Sequence, residues 1–438
     1  MHALAALCGF LMFPFAAAAS GAVCDIVAVC GAVADNKTNS APAISSCVAP
    51  GGPCGGAGST LTLPAGASFL VGSVDLSNTV GLTVRFGAGA GLFGSADSTL
   101  YPLQTQLPPT NMPDYGSQWR ALLYARNVSG LTLEGPPSAV VDGLGWPWWS
   151  AFNNGSLAHQ RPKLVEIVDG TDVVLRGLTF RNSPFWTLHT LYCSRVSFLG
   201  LSVFAPRAVG NTDGIDPDSC TDVLIDSCFI DVGDDGISLK SDFRVDPVTG
   251  SVALLPTARV HIVNTTVLSR NVAIGSSTYG NITDVLMEGG RIGDDEGSSP
   301  WALHVKTHTP AGGVVRNITL SAVTIGAIAP NSWQMPHGGR AFIVGLSPYN
   351  NPPMPPGAPP SAASDYAGIT LRDIHVKSAV SAGSFTAVPP FHVHDVTLHN
   401  VTFGNITGPN APWSCSRVAG VTATGVVPPL PPDCSSQG

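Results

Sequence analysis

Charge is scarce in this chain, at 11% of 438 residues, and what there is leans acidic, with a formal net charge of −8. An acidic balance without a basic tract leaves no electrostatic footprint for nucleic acid, so none is expected as a partner. Apolar runs long enough to span a bilayer are also missing, and no membrane partner is expected once the leader described below is removed. No segment keeps a helical hydrophobic period, which leaves strands as the repeating element. With 49 glycines and 44% hydrophobic residues, the composition fits many short buried strands joined by tight turns. No composition break marks a boundary, and a single elongated domain over residues 21–410 is expected, followed by a Pro- and Cys-containing tail at 411–438.

Residues 3–19 are apolar and end in small side chains, as a secretory leader does, although only His2 stands where a basic n-region is usual. Residues 1–20 therefore read as a signal peptide. Asn-x-Ser/Thr sequons at Asn36, Asn127, Asn154, Asn264, Asn281, Asn317, Asn400 and Asn405 independently fit export and glycosylation. Cys8 leaves with the leader, so nine of the ten cysteines remain, an odd number. Cys24, Cys30, Cys47 and Cys54 crowd the N-terminus and Cys415 and Cys434 the C-terminus, where bridges would staple frayed ends; a few buried unpaired thiols are the plainer alternative.

From about residue 170 the chain repeats a short β-branched strand followed by a polar or Gly-containing turn. The rungs begin at Val173, Val196, Val223, Val260, Val285, Ile318, Ile369 and Val396. Apolar and polar residues alternate inside each rung, which marks one buried face. A strand repeat of this length fits an all-β parallel β-helix with coils stacked about 4.8 Å apart. A leucine-rich repeat has a similar period but its Leu and Asn positions are absent, and a β-sandwich is the other alternative. Cys193 and Cys220 hold the same place before successive rungs, so they are expected to be adjacent, and bonded if the side-chain vectors allow, with Cys228 left over as a buried thiol.

In such a solenoid, sequence spacing becomes geometry. Asn211-Thr212-Asp213-Gly214-Ile215-Asp216 and Gly233-Asp234-Asp235-Gly236 flank the rung Val223-Leu224-Ile225, so Asp213 should lie beside Asp234 and Asp235. Crowded carboxyls repel, and repulsion raises at least one pKa, as a glycosidase needs when one carboxyl donates a proton while another stays ionised. Arg270 and Ser276 follow the next rung, and His304 and Lys306 the one after, which would line a groove suited to a carboxylate-bearing sugar chain. Lys306 and His304, two apart on an alternating strand, share a face.

At these residues the chain resembles glycoside hydrolase family 28, the polygalacturonases, and the plant-type members most. The matching text is Arg161 to Glu166 (RPKLVE), Asn182 to His189 (NSPFWTLH), Asn211 to Ser219 (NTDGIDPDS), Gly233-Asp234-Asp235, Ile274-Gly275-Ser276 and His304 to Thr307, within a similarity spanning roughly residues 25–410. The resemblance implies a right-handed parallel β-helix that hydrolyses α-1,4-galacturonosyl bonds in pectin with inversion, without cofactor or metal, as a secreted monomer. It implies Asp234 as general acid, Asp213 and Asp235 as the pair activating water, and Lys306 as the partner of the galacturonate carboxylate; Arg270, His304 and His189 join it as substrate-binding candidates. An inverting pair is expected about 6.5–9.5 Å apart. Arg270 stands where many members place a His, His304 replaces an Arg, Gly236 a Cys and Ser277 a Glu.

Plainer readings exist for each feature. Asp-Gly is ordinary turn chemistry, and Asp216 and Asp218 are assigned to turns or caps. Acidic clusters can bind Ca²⁺, as in lyases on this kind of coil, but the motif text matches the hydrolase. His304 could be a solvated surface residue. Trp186 and His189 lie in an aromatic stretch that is more often core than sugar platform. The Trp146 to Trp149 cluster is either a cap over the coil end or a stacking surface for a sugar face. A β-helix that binds wall polysaccharide without cleaving it is the competing function.

Overall fold

The computed structural model describes residues 21–104, 117–308, 313–330, 335, 338–347, 365–389, 391–409 and 412–434. Residues 1–20, expected as a leader, and the Pro-rich stretch at 351–361 lie outside them.

The described strands wind into a right-handed parallel β-helix. Each coil contributes one strand to each of three sheets, running for example from Leu188–Leu191 through Ser194–Leu199 to Ser202–Phe204, and the next coil pairs with it in parallel. The rung residues stack in one unbroken register, Val173 on Val196, Val223, Val260, Val285, Ile318, Ile369 and Val396. All are 0–3% exposed, so one column of β-branched side chains forms a wall of the core. Their branching suits it: a stiff side chain on a pleated surface packs on its copy one coil away.

The coil bends through left-handed residues. Asp172, Arg195, Asp222, Arg259, Asp284 and Asn317 all hold φ between 53° and 59° in one stacked column. Few are the glycine or asparagine that conformation favours; instead the side chains pair outside the turn, Arg195 with Asp172 and Arg259 with Asp222, each at 2.6 Å.

The ends are closed as expected in kind. Helix α1 (Ala41–Val48) covers the N-terminal coil beside the bridges Cys24–Cys54 and Cys30–Cys47, and Cys415–Cys434 ties the C-terminus. The last rung runs past residue 410: Trp413–Ser416 pairs with Ser381–Thr386, and Trp413 is buried against Phe342 and Phe385.

The Cys193–Cys220 bond is not formed. The rung register puts the two side by side, since Ser194 pairs with Thr221, but both are free buried thiols, as is Cys228. Each sulfur hydrogen-bonds to backbone instead: Cys193 Sγ–H donates to Ile167 O (3.3 Å) and Cys220 Sγ–H to Asp218 O (3.1 Å). Register fixes the separation of two Cα atoms but not the direction of the side chains.

Candidate active site

The site sits where third-sheet strands turn into first-sheet strands. Ser202–Phe204 leads through Asn211 to Asp213 and into Ile215–Asp218; one coil on, Phe229–Asp231 leads through Asp234 and Asp235 into Ile237–Ser241. The two turns are joined by backbone bonds, Gly214 N–H to Asp235 O and Ile215 N–H to Gly236 O, both 3.0 Å. Gly236 has no room for the cysteine of its relatives, because a Cβ there would lie 2.3 Å from Val267 Cγ1 and 2.5 Å from Ser269 Oγ.

Asp213, Asp234 and Asp235 are buried, and one oxygen from each lies within 4.8 Å of the others. These nearest oxygens are closer than the separation expected for inversion, because Asp234 and Asp235 are consecutive in one turn and the neighbouring turn that carries Asp213 stacks about 4.8 Å away. Asp234 is surrounded by donors. Its Oδ1 accepts from Arg270 Nη1 (2.7 Å) and from the Asp235 N–H (2.9 Å), and its Oδ2 from the Asn211 N–H (2.8 Å). Both oxygens thus accept, which fits a carboxylate. Asp235 Oδ2 takes a 2.7 Å bond from Lys306 Nζ. Burial would raise the Asp235 pKa, but Lys306, Arg270 and Lys240 together hold it well below the usual range. Asp213 goes the other way: burial first, then the charges of Asp216 and Asp234, push it well above its ordinary value, and its Oδ1 has no hydrogen-bond partner. Asp213 and Asp235, one coil apart, are thus pushed in opposite directions.

Arg270 and Lys306 lie against the acids, paired with Asp234 and Asp235. His304 lies on the same face as Lys306 but packs at a tilt against Trp301 with ring centroids 4.8 Å apart, and burial, then Lys306, depress its pKa to about 3. It is a neutral imidazole, so a charge on His304 is not available to a uronate. His189 is 0% exposed and sits beneath the cleft, its Nδ1 3.0 Å from Lys163 Nζ and 3.2 Å from Glu166 Oε1.

Asp216 and Asp218 are not turn or cap residues. They lie two apart on the strand Ile215–Asp218, share its face, and are both fully buried. Burial raises Asp216 to about 7, less than it otherwise would because Lys240 and His189 are close. Lys240 had no assigned role, yet it is the central cation here: buried, 3.7 Å from Asp213 Oδ2, bonded to Ser238 Oγ (2.9 Å), and 4.5 Å above the Trp186 ring. A lysine in the otherwise buried strand Ile237-Ser238-Leu239-Lys240, in register with Asp218, was the sequence signal for it. Lys163 and Glu166 form a second buried ion pair at 2.5 Å under the same sheet.

A parallel β-helix with clustered carboxyls and flanking cations in one groove defines a class of polysaccharide-processing scaffold. Residues 57–333 match Glycosyl hydrolases family 28, and the chain belongs to that family of glycoside hydrolases. It is 29% identical over 411 residues to a "Probable polygalacturonase" of Vitis vinifera, an alignment covering 91% of this chain and 78% of that protein. Among solved structures it superimposes on an exopolygalacturonase of Thermotoga maritima (TM-score 0.69, 17% identity, 92% and 91% of the two chains). The polygalacturonase of Erwinia carotovora superimposes similarly (TM-score 0.67, 18% identity, 92% and 97%).

Proposed function

We propose that this protein is an exported hydrolase of α-1,4-galacturonosyl bonds in pectin-type polysaccharide, acting by single displacement with inversion. The observation that carries it is the meeting of Asp213, Asp234 and Asp235 within 4.8 Å beside Arg270 and Lys306. Lys306 and Arg270 supply the positive end of a groove for a uronate carboxylate, in a molecule whose overall charge would repel a polyanion. Asp234 is the proton donor to the leaving oxygen, and Asp213 with Asp235 holds the attacking water. Export is supported by the sequons, all eight of whose asparagines are exposed, and no helix among the described residues is long and apolar enough to cross a membrane.

Release of reducing ends from polygalacturonate by the purified protein tests the activity, and Asp234→Asn should lower it by about 10²–10⁴-fold with little change in stability. Near-native turnover in that variant would remove Asp234 from the chemistry. The anomer of the first product, read by proton NMR, tests the stereochemistry. A retained anomer would suit the short carboxyl separation and overturn inversion.

One observation favours a second reading, a β-helix that binds wall polysaccharide without cleaving it. Arg270 and Lys306 are already bonded to Asp234 and Asp235, and both pairs must loosen for acid–base work. Saturable binding of polygalacturonate with no new reducing ends would establish it.

A further inference from the structure

The Trp146 to Trp149 cluster resolves into two parts. Helix α2 (Trp146–Asn153) buries Trp148, which packs edge-on against Tyr101 and Trp119, and buries Trp149, whose Nε1–H donates to Ser183 O (3.1 Å). Trp146 is left 74% exposed. Beside it lies a cavity of about 550 Å³ whose walls include Leu70, Ala96, Leu144, Trp149 and Asn182 and hold no charged side chain. Two local features shape its wall. Leu144, 41% exposed, keeps φ at 45°, a conformation a bulky residue rarely adopts. A Cβ on Gly145 would lie 2.5 Å from Trp149 Cζ2, so only glycine lets that ring form the wall. Behind the cavity Asp142 is neutralised by Arg181 at 2.6 Å.

Its place in the solenoid ties it to the cleft. Ala96, Leu144 and Asn182 follow the third-sheet strands Gly91–Gly94, Val140–Asp142 and Thr179–Arg181, which stack directly before the strand leading to Asp213. The cavity therefore opens on the same corner, between about 5 and 15 Å before the acids along the axis. Helix α2 spans the gap: Phe152 on its last turn lies 4.0 Å under the Arg161 guanidinium, and Arg161 Nη2 donates to Asn211 Oδ1 at 3.0 Å. The cations Arg270 and Lys306 come from coils on the opposite side of the acids.

We propose that this cavity is a subsite for an uncharged sugar residue, a methyl-esterified galacturonosyl unit, stacked on Trp146 while an ionised uronate occupies the Arg270 and Lys306 end. It rests on the reading of the cleft as a galacturonan site. An exposed indole beside a charge-free apolar wall recognises the apolar face of a pyranose and an ester methyl, and offers an ionised carboxylate no partner.

The test measures binding of the intact protein, by calorimetry, to partly methyl-esterified and to fully de-esterified oligogalacturonides of one length, long enough to cross four coils. Trp146→Ala should weaken the esterified ligand about tenfold, the size of one aromatic contact, and leave the de-esterified one within about twofold. Trp146→Phe should restore most of the loss. Ala96→Lys, which puts a cation into the wall, should reverse the preference. Equal losses for both ligands, or none in Trp146→Ala, overturn the subsite. If Trp146→Ala shows the selective loss while no uronide is ever cleaved, the hydrolase reading fails and the subsite stands; if uronide is cleaved while Trp146→Ala binds the esterified ligand as the wild type does, the subsite fails and the hydrolase reading stands.

Discussion

Arg270 occupies the position from which the proposed acid is controlled. A guanidinium is charged at every working pH, and at 2.7 Å from Asp234 it favours the ionised carboxylate. If Asp234 donates the proton, removing that cation lets it stay protonated to higher pH. In Arg270→Gln the alkaline limb of the pH profile of kcat/KM should move upward, and an unmoved or lowered limb would place the donor elsewhere. The three acids and both cations were legible in the sequence because motif spacing becomes proximity in a stacked coil. What was not legible is how the partners divide. Asp216 and Asp218 were read as turn or cap residues beside the Asp213-Gly214 turn, whereas pairing of Asp218 with Lys240 puts them on a buried strand. The neutral state of His304 depends on its enclosure by Trp301, which no spacing rule conveys.

Among the elements, the rung register was fully readable, since alternating β-branched triplets recur at a spacing that only stacking explains. The left-handed column was not. Arg195 and Arg259 have no turn propensity, and they tolerate φ of 53° and 56° because stacking supplies an Asp partner one coil away. The two columns should differ sharply in energy. Ile225 is 0% exposed, and Ile225→Ala should cost about 2–5 kcal/mol through lost burial and a cavity that flanking coils cannot close. Arg259, with its side chain 53% exposed, forms a surface pair, and Arg259→Ala should cost less than about 1 kcal/mol. Urea unfolding of both variants checks the contrast; a larger loss in Arg259→Ala would mean that the turns rather than the core hold the coil. The Cys193 and Cys220 pair carries the same lesson, because register gave the neighbours and the backbone carbonyls took the sulfurs.

Across the whole molecule, buried carboxyls make stability depend on pH in a direction opposite to that of most acidic proteins. Asp216 titrates near pH 7 in the fold but near 3.9 when unfolded, so between those values the folded chain holds a proton that the unfolded chain has released. Its stabilisation is complete below about pH 4 and is lost as pH rises towards 7, at up to about 1.4 kcal/mol per pH unit. Asp213 and Asp242, raised by burial first and then by neighbouring carboxylates, act in the same sense. Groups with lowered values set the acidic edge. Asp294, near 2 because hydrogen bonds from Ser298 and the charge of Arg207 outweigh burial, stabilises above about pH 4 and loses its contribution as pH falls through 2; Glu166 and Asp235 behave alike. Thermal midpoints at fixed ionic strength should therefore be highest between about pH 4 and 5 and decline towards pH 8. Asp216→Asn, which cannot release that proton, should flatten the decline between about pH 4 and 7. A wild-type midpoint that rises across this range would mean that the carboxyls under the cleft are ionised and fully paired, and that burial does not raise Asp213 and Asp216.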